Sequence, residues 1–282
     1  MSQVQRGKVD GNKPTLGWLV DSALPEHVLE GRFYSNLLKG ANERAGQLGY
    51  SLECFRANDG KVSFQRLGGV LRSRGIRGLV VGPVSSRFPD NREDFPFGEF
   101  ASSTIGYSLR RPVLHRVGVD YSQGMQLVWQ KLREAGFTRP GLLLSSPYDA
   151  RTNFHLRGMY LALQSSSRAV EVIPPCLAER AHEDGEVIRQ WISEYRPDVV
   201  LYASSPGSVR ELVPSGIDFP HPFIYWINHD RSLPVPGILQ PESELGKVAL
   251  DLVVGQIHRN EVGIPSTPNL TLIPYQWVDP RP

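Results

Sequence analysis

Cysteine is scarce in this chain: there are two in 282 residues, Cys54 and Cys176, far apart and in no CxxC pattern. That excludes a disulfide-stapled scaffold. Each stands in a short apolar context, so both read as small buried or half-buried side chains with no bond between them. Long apolar runs are missing too, since none approaches the roughly 18 residues of a membrane span. Met1 to Pro14 is polar and has no apolar stretch of the signal-peptide kind, so a cytoplasmic setting is expected. An excess of one charge is also absent: 31 Lys+Arg face 29 Asp+Glu, a formal net charge of +2. A surface built wholly for nucleic acid would be more basic. The densest basic groups, Arg72, Arg74 and Arg77 and then Arg110-Arg111, stand at helix ends or a strand start. Bases there cap a helix or stay solvated.

Catalytic signatures are lacking in the same way. No GxGxxG follows the first strand, and there is no GxxxxGK[ST], GxSxG or HExxH. His221 and His229 flank one strand with no third ligand near, and they read as loop histidines. The expectation is a protein that is not an enzyme and uses no cofactor and no metal.

What the chain does have is a repeated alternation of short apolar runs and amphipathic stretches. Thr15 to Val20 reads as a buried strand, and Leu37, Leu38, Ala41, Ala45 and Leu48 then keep helical spacing up to a stop at Gly49. Strands at 51–55 and 78–82 bracket a helix carrying Phe64, Leu67 and Leu71. Two short strands, at 104–107 and 117–119, precede a helix with Met125, Val128, Trp129 and Leu132. The alternation resumes with strands at 141–144, 170–173, 198–203 and 223–227, and helices over 154–163 and around Val187 to Ile192. A long helix over 242–258 and a strand over 270–274 close the pattern. The fold class is therefore α/β, with two doubly wound parallel-sheet lobes joined by multiple crossovers. The expected division is a polar segment over 1–14, a first lobe over 15–136 plus 242–268, and a second lobe over 137–241 plus 269–282. The stretch 83–100 reads as a loop whose Phe88, Phe95, Phe97 and Phe100 either form a dimer surface or fold back onto their own lobe.

Polar residues collect at the ends of the apolar strands. Asp21 and Ser22 follow the first, and Asn58 and Asp59 the second. Ser204 and Ser205 follow DVVLYA, and Asn228, His229 and Asp230 follow FIYWI. In doubly wound sheets these ends face a crevice that binds small molecules. Each residue taken singly is as well explained by a turn or a helix cap. Phe33, Tyr121, Tyr148, Tyr202 and Trp226 are candidate flat faces for a ligand; Trp226 reads better as a core residue, and Phe33, in a polar loop before a helix, as the best stacking surface.

Several segments resemble the effector-binding region of LacI/GalR-type transcription regulators, which have a periplasmic-binding-protein-like fold. The most specific is Gly237 to Pro265, with its Gln-Pro, Glu-Leu-Gly, long helix and Gly-x-Pro ending. Val117 to Leu144 is similar in its Val-Asp, helix and Leu-x-x-x-Gly-Phe run, and HLRGMYLAL resembles the family's Arg-x-x-Gly-(Tyr or Trp) helix. The resemblance covers residues 15–279. It implies a ligand-sensing domain that binds a small polar effector, a sugar for preference, in an interlobe cleft. It also implies a homodimer, with operator DNA reached only through a separate DNA-binding head that this chain lacks. A periplasmic sugar-binding receptor is the alternative. The expected ligand-binding residues are Asp21, Ser22, Phe33, Asn58, Gln123, Tyr148, His155, Tyr202, Ser204, Asn228, Asp230 and Gln240. The chain departs from the family where Ser204-Ser205 replace Asn-Asp and where His155 replaces an arginine. A neutral imidazole offers one donor and one acceptor in place of a guanidinium fork.

Overall fold

The first strand sets the plan. Thr15–Asp21 buries Leu16, Trp18 and Leu19 almost completely, which a strand can do only with layers packed on both faces. The computed structural model describes residues 13–57, 60, 62–85, 88, 95–167, 171–179, 185–203, 224–227 and 236–279. Along the chain the elements are β1 (Thr15–Asp21), α1 (Glu26–Leu29), α2 (Arg32–Gln47), β2 (Ser51–Ala57), α3 (Phe64–Ser73), β3 (Gly78–Val81), β4 (Ala101–Ile105), β5 (His115–Val119) and α4 (Tyr121–Glu134). Then come β6 (Pro140–Ser145), α5 (Ser146–Arg151), α6 (His155–Ser166), β7 (Cys176–Ala178), α7 (Gly185–Tyr195), β8 (Val199–Ala203) and β9 (Ile224–Ile227). The last are β10 (Gly237–Leu239), α8 (Glu242–His258), β11 (Leu270–Ile273) and β12 (Gln276–Val278).

Two six-stranded sheets result, in the orders β11-β5-β4-β3-β1-β2 and β12-β10-β9-β8-β6-β7. The first is parallel throughout, and the second is parallel except where β12 pairs antiparallel with β10. The chain passes between sheets after β5, after β10 and between β11 and β12.

Two details of the expected division are corrected. The strand at 270–274, assigned to the second lobe, pairs as β11 with β5 of the first sheet, Leu270 opposite Arg116 and Ile273 opposite Val119. Helix α4, assigned to the first lobe, packs on α6 and β10, so the first crossing lies at Asp120 and not after residue 136. An apolar stripe says that a helix covers a sheet, not which sheet. The strand expected over 170–173 is also displaced, to β7. The side chain of Gln164 takes both the N–H and the C=O of Ile173, at 2.6 and 3.0 Å, leaving neither for a ladder. Cys54, expected to be at least half-buried, is exposed on edge strand β2, while Cys176 is buried; both are free thiols.

The phenylalanines of the 83–100 stretch resolve in favour of folding back. Phe88, Phe95, Phe97 and Phe100 are all buried in the first lobe, with Phe95 4.6 Å from Phe97 and 5.9 Å from Phe100 between ring centres. Arg72 and Arg74 pair with Glu99 and Glu53, so part of the basic group is engaged within the lobe.

Candidate functional site

Where the strands of both sheets end, the lobes face each other across a cavity. The first lobe contributes Phe33 from the start of α2, Pro83 beyond β3, and Gly106, Tyr107 and Ser108 beyond β4. Facing them are Tyr121 from α4, Tyr148, Arg151 and Thr152 from α5 and the turn after it, and Gln240 from the second crossing. Of the expected residues, Phe33, Tyr148 and Gln240 therefore share one wall system. The space between them is about 70 Å³, room for a handful of waters. A sugar needs the lobes or the rings to move apart.

Aromatic rings close the cavity. His155, at the start of α6, stacks on Tyr121 with ring centres 5.7 Å apart and planes inclined by 10°. It also reaches across the cleft to Tyr107 of the first lobe, at 4.8 Å. Tyr121 touches Tyr275, with ring centres 6.0 Å apart. Burial pushes the phenols of Tyr121, Tyr275 and Tyr107 above the ordinary tyrosine range, Arg116 opposing this at Tyr107. They are O–H groups at neutral pH, fit to serve hydroxyl or carbonyl partners.

Arg151 is the one charged side chain among the described residues on the wall. Its Nη1 donates to the Val84 carbonyl at 3.2 Å, a bond from lobe to lobe that also holds the guanidinium over the cavity. On the first-lobe side, the Tyr34 hydroxyl donates to the Pro83 carbonyl and fixes the loop beside it. The wall thus offers aromatic faces, several hydroxyls, an amide and one fork-shaped cation. These can hold a compact ligand by stacking and by polar contacts at its rim.

Asp21, Ser22, Gln123 and Tyr202 are not on this wall. Asp21 is buried at the end of β1, where its carboxylate accepts from the N–H groups of Ala23 at 3.0 Å and Ser85 at 2.7 Å. It ties the loops after β1 and β3 together. Gln123 accepts the Tyr275 N–H at 3.0 Å and so pins the third crossing. Tyr202 packs in the second-lobe core with Leu143, Ile188 and Trp191. The Ser22 hydroxyl is buried, with no partner among the described residues. Asn58, Ser204, Asn228 and Asp230 lie outside the described residues, as do Asp59, Ser205 and His229.

Tyr107, Arg151 and Thr152 were missed in the sequence. The signal was present for Tyr107, which stands two residues beyond β4, but an aromatic there is as well explained by packing as by a ligand. Among the described residues no group of three or more His, Cys, Asp or Glu side chains stands ready for a metal ion. No described helix is long and apolar enough to cross a membrane.

No protein-family profile and no curated protein matches the chain. Solved structures do. A regulatory protein of the LacI family from Chloroflexus aggregans superposes with a TM-score of 0.68 at 20% identity, over 94% of this chain and 97% of that one. The Cra transcriptional dual regulator from Pseudomonas putida, in complex with fructose 1-phosphate, matches with a TM-score of 0.63 at 20% identity, over 96% of this chain and 100% of that one. A LacI family transcriptional regulator from Enterococcus faecium with bound ribose matches with a TM-score of 0.61 at 18% identity, over 94% and 97%. At such identities the likeness is one of fold, and the chain has the two-lobed, periplasmic-binding-protein-like α/β fold that these regulators share.

Proposed function

We propose that this chain is the ligand-sensing part of a LacI/GalR-type transcription regulator, working in the cytoplasm as a homodimer. A small polar effector, a sugar for preference, occupies the cavity between the lobes and changes their relative setting. A separate head reads operator DNA, and the change of setting alters the spacing of two such heads. The chain itself carries out no reaction.

The observation that carries this reading is the placement of the cavity. It lies at the carboxyl ends of both sheets, is walled by Phe33, Tyr107, Tyr121 and Tyr148, and is crossed by the Arg151–Val84 bond. A ligand that takes over the guanidinium of Arg151 breaks an interlobe bond as it binds, so occupancy and lobe setting are linked. The solved regulators with fructose 1-phosphate and ribose support a carbohydrate as the class to try first.

A thermal-shift screen against sugars, sugar phosphates, purines and amino acids tests the reading. The expected result is a concentration-dependent rise in Tm with one carbohydrate or a close group of them. A response confined to purines or amino acids removes the sugar assignment, and no response in any class removes the sensor reading.

A further inference from the structure

A second hollow lies at the opposite end of α8 from the interlobe cavity, beside the first residue of β5. It measures about 750 Å³, within the range of small-molecule sites. Leu245, near the start of α8, lines the interlobe cavity, while Gln256 and Arg259, near its end, line the hollow. A 17-residue helix rises about 25 Å, so the two are separate places.

His115 forms the floor. It is 7% exposed, and its Nδ1 accepts the backbone N–H of Asn269 at 3.0 Å. A ring nitrogen that accepts carries no proton, so in the neutral imidazole the proton sits on Nε2. Burial holds this histidine below the ordinary range, which keeps it neutral at pH 7. Nε2–H is thus a donor with no partner among the described residues, on a side chain more than nine-tenths buried, in the wall of a hollow. A proton on Nε2 also removes the lone pair that a metal ion would take.

The rim decides the ligand class. Arg259 is held by Glu261 through two bonds, of 2.8 and 2.7 Å, so the rim offers no net positive charge. The C-terminus of α8 adds partial negative charge, which disfavours an anion further. The uncharged polar side chains of Asn260, Ser266, Thr267 and Asn269 stand around the opening, and Ile264 and Pro265 give it an apolar side. We propose that this hollow is a second small-molecule site, taking a neutral polyhydroxylated ligand whose oxygen accepts from His115 Nε2–H and whose C–H face lies on Ile264 and Pro265.

The test is a titration of the full chain with glucose, followed by long-range ¹H–¹⁵N NMR of the histidine side chains. The expected spectrum shows His115 as the Nε2–H tautomer, with a shift that saturates as glucose is added. The Arg151→Ala variant, altered only in the interlobe cavity, keeps that response. The Ser266→Trp variant, which fills the opening from an exposed rim position, loses it. An Nδ1–H tautomer, a shift that never saturates, or a response retained by Ser266→Trp overturns the proposal. A shift with sodium sulfate but not with glucose overturns the assignment of a neutral ligand. Because the Arg151→Ala arm reports on the hollow alone, its failure is distinct from failure of the effector reading.

Discussion

In the first lobe, α8 and α2 touch backbone to backbone. A Cβ on Gly246 would stand 2.0 Å from the Leu37 carbonyl oxygen, and one on Gly40 1.9 Å from that of Ser243. In the second lobe, Gly141 on strand β6 instead makes room for a side chain: a Cβ there would stand 2.4 Å from the indole of Trp191. Polar pegs follow the same division. The first lobe holds α8 to its sheet through Gln256, whose amide serves both the N–H and the C=O of Ser102, and through Ser103, whose hydroxyl donates to the Ala249 carbonyl at 2.7 Å. The second lobe uses the long side chains of Tyr160 and Gln164 to hold the irregular stretch before β7. Backbone contacts cannot yield without moving a helix, whereas side chains can turn. The α8–α2 contact is therefore the less forgiving of the two.

The largest expected effect is on that contrast itself. Gly246→Ala forces α8 off α2 and costs about 3 kcal/mol or more, while Gly141→Ala presses on the Trp191 indole, whose Nε1 donates to the Pro174 carbonyl at 2.8 Å, and costs about 1–2 kcal/mol, both read from urea unfolding. Equal costs break the comparison. Next in size are the glutamine pegs. Gln256→Leu leaves both backbone groups of Ser102 buried without their partner, for a loss of about 2 kcal/mol. Gln164→Leu leaves Ile173 with the Tyr160 hydroxyl on its carbonyl, at 2.8 Å, and so loses nearer 1 kcal/mol.

Titration separates the lobes by sign. Burial lowers the His115 pKa, so below the unfolded value of about 6.5 the unfolded chain binds more protons than the folded one. Its contribution to stability is whole above that pH and declines as pH falls. His115→Gln should flatten this slope below about pH 6.5. Burial raises the Asp149 pKa in the second lobe, with Arg157 opposing, so this contribution grows as pH falls through the folded value. Asp149→Asn should remove that opposite trend, a smaller effect to be read in acid-side unfolding midpoints.

Much of the fold was legible because both lobes bury their strands on two faces and stripe their helices. The apolar run at 15–20 is β1 but for one residue, and the spacing over 242–258 is α8. What periodicity leaves out is partner choice. It cannot say that α4 packs across the crossing on α6, or that β11 completes the first sheet while β12, a few residues on, closes the second. The site was legible in outline. Of the residues named from the sequence, Phe33, Tyr148 and Gln240 stand on the cavity wall, while the strand-end carboxylate of Asp21 accepts from two backbone N–H groups. Not named were Tyr107 and Arg151, whose roles depend on which loops the two lobes bring face to face.

Calorimetric titration of the strongest carbohydrate from the screen, against the parent chain and Arg151→Ala, bears most directly on the sensor reading. A ligand whose oxygens take over the guanidinium should bind the variant at least about tenfold more weakly, a difference of about 1.4 kcal/mol. Affinity unchanged in Arg151→Ala would place the ligand elsewhere and contradict the interlobe site.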